Sequence, residues 1–247
     1  MARVLVLCYH GVSDGWDSDL AVTTARLENQ LRLLLRRGWR ASTFHEAVTA
    51  PRAHRTLAVT FDDGYRSVLE HGWPVLKRLG VPATVFVPTA LVGWPGPLRW
   101  EGIEHWLGTP AESELCPMDW EQLCWLSWRG WEIGSHTCSH PFLTHEDDAA
   151  LAFELERSRH SVEAHLDRPC RSLAYPYGDV DPRVVEATRA AGYESACTLS
   201  AVGDADALAW PRVALYDIDR GWRLRLKLSS RLRRAYTAVA RHPRAAT

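Results

Sequence analysis

Thr56-Leu57-Ala58-Val59-Thr60-Phe61-Asp62-Asp63-Gly64 is a short, mostly apolar, partly β-branched run that stops at a turn signal. It predicts a buried strand opening into a turn, with two adjacent carboxylates at its carboxyl end. Working outward, Trp131-Glu132-Ile133-Gly134-Ser135 predicts another strand, which leads into His136-Thr137-Cys138-Ser139-His140-Pro141. A spacing of four would place both imidazoles on one helix face, but Pro141 biases His140 away from helical dihedrals. A loop that folds both rings toward one point is the better expectation. Both motifs would then open onto one rim of a parallel sheet or barrel, where such folds carry their sites.

One carboxylate and two imidazoles are a sufficient protein ligand set for an open catalytic zinc site, leaving the other carboxylate free as a base. Each motif alone is weak. Asp-Asp-Gly after a strand is most often only a turn, and 11 histidines in 247 residues produce close pairs by chance. Together, each directly after a predicted strand, they point to a metal hydrolase.

With Leu173-Ala174-Tyr175-Pro176-Tyr177-Gly178 as a third element in the same order, the chain resembles the polysaccharide deacetylases, the NodB-type carbohydrate esterases of family 4. The opening Leu7-Cys8-Tyr9-His10-Gly11-Val12 resembles the start of the subgroup that removes acetyl groups from biofilm poly-N-acetylglucosamine. The resemblance runs from about residue 3 to about residue 215. It implies an α/β fold, a distorted (β/α) barrel, and a divalent metal. Zinc is the default for mixed N/O ligation, and nickel, cobalt or iron can occupy the same set.

Carried over residue by residue, the resemblance makes Asp62 the general base for the catalytic water and Asp63, His136 and His140 the metal ligands. The backbone N–H of Tyr177 would stabilise the tetrahedral oxyanion. Many family members take their general acid from a Leu-x-His motif, which this chain lacks. In the biofilm subgroup the Tyr-His element is the source, so His10 is the expected acid. The wider family also has Arg-x-Pro-Tyr in the third motif, its arginine orienting the aspartate, where this chain has Ala174. Arg212, in Trp210-Pro211-Arg212-Val213, is the candidate to reach back to Asp62; a solvated arginine is the competing reading.

At 46% hydrophobic and 24% charged residues, the chain is long enough for one barrel domain with a large core. Residues 1–219 are expected to form that domain and 220–247 a basic C-terminal tail. Helical patterns alternate with the strands. Thr24 to Arg37 carries Leu27, Leu31, Leu34 and Leu35 before Gly38, and Asp181 to Ala191 precedes Gly192. A longer helix is expected over about His145 to Leu166, capped by Thr144, with Glu146, Asp147 and Asp148 in its first turn.

Six cysteines at 8, 116, 124, 138, 170 and 197 include no Cys-x-x-Cys pair, which argues against a zinc ribbon or dithiol site. Reduced thiols are expected. Cys138, between the histidines, reads as loop packing rather than as a soft ligand. Neither a signal-like start nor an apolar run approaching a membrane span occurs, so a cytoplasmic enzyme is the expectation.

The net charge of −1 argues against nucleic-acid binding, but it hides an asymmetry. Residues 220–247 hold eight Arg and one Lys and no Asp or Glu, interleaved with Trp222, Leu224, Leu226, Leu228, Leu232 and Tyr236. Such a segment suits peripheral contact with an anionic membrane and suits a solvated tail equally. Eight of the 12 tryptophans fall between Trp73 and Trp131. Aromatic faces stack on sugar rings, and the turn-rich segment from Gly93 to Trp100 makes Trp94 and Trp100 the candidate sugar contacts.

The expected function is therefore removal of an N-acetyl group from an N-acetylated amino sugar or its polymer, releasing acetate. A deacetylase or deformylase of a small or lipid-linked amino-sugar intermediate is the nearer alternative. A non-catalytic carbohydrate-binding module is the alternative of another class, and four intact chemical residues argue against it. The sugar, its linkage and the oligomeric state stay open.

Overall fold

The structure is a computed structural model that describes residues 4–50, 54–199 and 206–229. Its strands are β1 (Val4–Tyr9), β2 (Gly11–Val12), β3 (Ala21–Val22), β4 (Arg40–Ser42), β5 (Thr56–Phe61), β6 (Thr84–Val87), β7 (Glu132–Ser135), β8 (Ser172–Ala174), β9 (Ser195–Thr198), β10 (Trp210–Pro211) and β11 (Val213–Ala214). The large sheet runs β10-β9-β8-β7-β6-β5-β1-β11, with β4 lying beside β5. All of its pairings are parallel. Parallel neighbours need long crossovers, which the helices supply.

The two ends of this sheet are one stretch of chain. Trp210 and Pro211 pair with Cys197 and Thr198 of β9, while Val213 and Ala214 pair with Leu7 and Cys8 of β1. The sheet thereby curls into a nearly closed barrel, and Arg212 is the residue at the seam. Its backbone N–H donates to the Thr198 carbonyl at 2.9 Å.

Side chains alternate across a strand, so the barrel interior can be read in layers. Thr84, Glu132, Ser172 and Ser195, the first residues of their strands, are linked at the amino-terminal end through Glu132 and His45. Above them Val6, Ala58, Phe86, Ala174, Cys197 and Trp210 pack as an apolar plug, sealed by Phe44, Ala47 and Val48 of helix α2 (Phe44–Thr49). Gly134 belongs to this layer because a Cβ there would lie 2.5 Å from the Phe86 ring. One alternation higher come Cys8, Thr60, His136 and Arg212, with Asp62 a further alternation along β5. The residues between these, such as Leu5, Leu7, Leu57, Val59 and Phe61, face the helices and form the outer core.

The helices are α1 (Thr24–Arg36), α2 (Phe44–Thr49), α3 (Trp73–Leu79), α4 (Trp120–Ser127), α5 (Asp148–Leu166), α6 (Pro182–Ala190) and α7 (Gly221–Leu228). Leu27, Leu31 and Leu34 of α1 are buried, as their spacing predicts. Helix α5 departs from its expected start. Asp147 is the cap, its carboxylate accepting from the Ala150 N–H, whereas Thr144 is engaged by Asp179 and Leu143–His145 form a separate 3₁₀ turn. Part of the expected tail is helix α7, with Leu224 and Leu228 buried; residues 230–247 lie outside the described residues. Among the described residues no helix is long and apolar enough to cross a membrane.

Candidate active site

Asp62 continues β5 by donating its N–H to the Tyr9 carbonyl at 3.0 Å, and alternation turns its side chain into the barrel. There Arg212 meets it from the seam. Nη1 donates to Oδ1 and Nη2 to Oδ2, each at 2.6 Å. Arg212 also donates to Thr60 Oγ1 at 3.1 Å, and the Thr60 hydroxyl in turn donates to the Leu7 carbonyl at 2.8 Å. The Cys8 thiol completes the grip, donating to Asp62 Oδ2 at 3.5 Å. Burial would raise the Asp62 pKa, but the Arg212 charge and hydrogen bonds, with help from His136, hold it well below the usual carboxylate range. Asp62 is therefore ionised at neutral pH.

Asp63, one residue on and left-handed at φ 68°, turns to the histidines at the same cavity. Its Oδ1 lies 3.4 Å from His136 Nε2 and 3.5 Å from His140 Nε2. Four ligands about 2.0–2.1 Å from a tetrahedral ion sit about 3.3–3.4 Å apart, so the carboxylate oxygen stands close to a corner-to-corner distance from each imidazole nitrogen, and ligand atoms of the three residues all lie within 4.8 Å of one another. The tautomer agrees. His136 Nδ1 donates to the Ala174 carbonyl at 2.7 Å, leaving the Nε2 lone pair free for a metal. Burial, reinforced by the charge of His136, pushes the His140 pKa down to about 3, which keeps that ring neutral. At His136 burial acts downward too, but contact with Asp63 and the Asp62 charge carry its pKa above the ordinary value. The residues present fit a divalent ion.

The backbone is strained where these groups sit. Asp63, Thr137, His140 and Tyr177 all have φ between 59° and 68°, the left-handed region that non-glycine residues seldom enter. His140 thus avoids the helix, as Pro141 suggests, by going left-handed rather than extended. The loop is held by its neighbours. Glu154 of α5, itself buried, accepts from the Cys138 and Ser139 N–H groups and from the Ser139 hydroxyl at 2.7–3.0 Å. Ser135 Oγ accepts from the Thr137 N–H, and Thr137 Oγ1 from the His140 N–H, both at 3.1 Å. At the other motif Gly64 is required, since a Cβ would lie 2.9 Å from Val87 Cγ1 at φ +67°.

A cavity of about 790 Å³ lies over this floor. His10, Asp62, Asp63, Trp100, His136, His140 and Tyr177 all line it. Nitrogen of His10, sulfur of Cys8 and oxygen of Asp62 approach within 4.8 Å of one another. Trp100 stacks on His140 at 4.2 Å between centroids, and Tyr177 meets the same ring edge-on at 4.6 Å while stacking on Phe142. Trp100 is therefore a wall against a candidate ligand. Trp94 is a different case: it is 54% exposed and does not line the cavity, so the structure does not bring it to the site. Cys138 belongs to neither ligand-like cluster among the described residues, and burial pushes its thiol up to about 11.

Some of the site is absent from the sequence reading. Cys8 faces the lumen and reaches Asp62, and strand alternation from Val6 could have suggested its inward side chain. Glu154 sits on the helix that follows the histidine loop, 16 residues past Cys138, and nothing in its surroundings marks it. The cavity mouth also gathers Asp17, Asp19, Glu101 and Asp217, an acidic rim assembled from separate loops.

A family model for polysaccharide deacetylase matches residues 49–196, a span that contains Asp62, Asp63, both histidines and Tyr177. The chain belongs to the polysaccharide deacetylase family. Among curated proteins, YxkH of Bacillus subtilis is 25% identical over 202 residues, covering 80% of this chain and 64% of its own length. The poly-beta-1,6-N-acetyl-D-glucosamine N-deacetylase of Staphylococcus epidermidis is 26% identical over 171 residues, covering 64% of this chain and 54% of that protein. The chain thus spans between about half and two thirds of these relatives. Among solved structures, the Streptococcus pyogenes deacetylase PplD in complex with acetate superposes with a TM-score of 0.76 at 18% identity, covering 92% of this chain and 99% of that one. IcaB from Ammonifex degensii gives 0.68 at 27% identity, covering 89% and 94%. The fold is that of the NodB-type deacetylases.

Proposed function

We propose that this chain is a metal-dependent N-deacetylase that removes acetyl groups from an N-acetylated amino sugar within an oligomer or polymer. One observation carries the reading: adjacent aspartates face opposite duties. Asp63 completes a three-atom ligand set with His136 and His140, while Asp62 stays outside that set, gripped by Arg212. A binding module has no use for a spare, oriented carboxylate.

A bound divalent ion, zinc by default, would acidify a water and polarise the acetamide carbonyl. Asp63 Oδ1, His136 Nε2 and His140 Nε2 would hold it. The Asp62 carboxylate takes the proton of the attacking water. Its pairing with Arg212 lowers its basicity but guarantees that it is ionised and fixed in orientation. His10, beside Asp62 in the same cavity, gives a proton to the departing nitrogen so that it leaves as an amine. The Tyr177 N–H is the donor to the developing oxyanion, a role typically worth about 3–4 kcal/mol of barrier. The acidic rim suits a neutral acetamido sugar that becomes an ammonium on hydrolysis.

Acetate release from N-acetylglucosamine monomers and oligomers of increasing length, with zinc-loaded protein, tests the reading. Release that rises with chain length and vanishes in Asp62→Asn supports it. Binding without release would favour a carbohydrate-binding module, and release from the monomer alone would favour a small amino-sugar substrate.

A further inference from the structure

Beside the catalytic cavity lies a second depression of about 430 Å³, and Asp19 and Ile218 line both. Its floor is helix α7. The inner face of that helix is anchored, with Leu224 and Leu228 buried and Lys227 donating to Asp219 Oδ2 at 2.6 Å and to the Ala214 carbonyl at 3.2 Å. The outer face is left bare. Trp222 is 72% exposed and Leu226 47%, Ile218 just before the helix is 53% exposed, and Arg220, Arg223 and Arg225 stand exposed around them.

The charge on this face is one-sided. Asp219 is buried, its carboxylate taken by Lys227 and the Tyr216 N–H. Asp217 accepts from Thr23 and pairs with Arg26. Asp19, on the rim shared with the catalytic cavity, is the exposed acid lining the depression. The sequence beyond the described residues adds Arg231, Arg233, Arg234, Arg241 and Arg244 and no carboxylate side chain.

We propose that this face docks on an anionic lipid surface, with Ile218, Trp222 and Leu226 entering the interface and Arg220, Arg223 and Arg225 against the headgroups. An exposed indole and aliphatic side chains ringed by arginines are the composition that interfacial helices use on acidic membranes. A second copy of the chain is a poorer occupant, because a two-fold contact sets the patch against itself and brings like charges together. Docking here opens the catalytic cavity beside the membrane, so the substrate is an acetamido-sugar chain emerging from, or tethered to, the bilayer. The identity of that cargo rests on the deacetylase reading; the docking does not.

The test is sedimentation of the full-length protein with phosphatidylcholine vesicles, with and without phosphatidylglycerol, over a salt series. Wild type partitions to the acidic vesicles, less so as salt rises. Trp222→Ser/Leu226→Ser loses partitioning, and Arg223→Gln/Arg225→Gln loses about 25-fold, from about fivefold per arginine near the surface. All these positions are exposed, so melting curves should match wild type, and turnover of a soluble oligomer should not change. Equal binding by variants and wild type, no preference for acidic vesicles, or a concentration-dependent dimer that the variants dissolve would each overturn the proposal. A protein that docks but releases no acetate would overturn the deacetylase reading and leave the docking intact.

Discussion

Arg212 and Asp62, 150 residues apart in sequence, close a two-bonded ion pair at 2.6 Å inside the barrel, with side-chain exposures of 0% and 4%. The pair joins the seam residue between β10 and β11 to the strand that ends in the site, so one contact both braces the curled sheet and aims the candidate base. In the third motif Ala174 leaves no arginine to do this, and its carbonyl instead orients His136.

Arg212→Gln is expected to destabilise the fold by about 3–5 kcal/mol, because it strands a buried carboxylate. It should also move the acid limb of kcat/KM upward. A depressed carboxyl contributes stability that is present at neutral pH and lost as pH falls through its folded pKa. Without the arginine, burial dominates and that pKa rises. A pH–rate profile unchanged from wild type would reduce Arg212 to a structural role.

Glu154→Ala removes three hydrogen bonds from the loop between the histidines without touching a ligand atom. Losses of this kind typically cost about 10–100-fold in metal affinity. Zinc titration of the purified variant measures it, and unchanged affinity would show that the loop holds its left-handed turns unaided.

His10→Ala should abolish turnover while keeping full metal content, since His10 lies with Cys8 and Asp62 rather than with Asp63. Metal analysis beside single-turnover kinetics separates the two quantities. Full activity would remove His10 from the mechanism.

Trp100→Ala takes a stacked ring from His140, an interaction worth about 0.5–1.5 kcal/mol, and should weaken both metal retention and substrate KM. Trp94→Ala, by contrast, should change neither. A larger effect at Trp94 than at Trp100 would contradict this placement of the cavity wall.

The strand from Thr56 to Phe61 and its Asp-Asp end are legible because a buried parallel strand is one apolar run and glycine punctuates its exit. Pro141 likewise marks the histidine segment as loop. Arg212 is legible as a vacancy, an aspartate lacking its usual partner, but its reach depends on the chain crossing from β9 to β1, which no local pattern encodes. Thr144 misleads because a capping residue was available three positions before Asp147, and only the contact with Asp179 decides between them. Trp94 misleads similarly: a turn-rich composition announces a loop and says nothing of where its rings point.

The most direct measurement is acetate release from N-acetylglucosamine oligomers by metal-loaded wild type and metal-loaded Asp62→Asn, with bound metal quantified in both. Turnover is expected in wild type, none above background in the variant, and equal metal in each. Equal turnover in the two proteins, or loss of metal with Asp62, would contradict the separation of base from ligand on which the account stands.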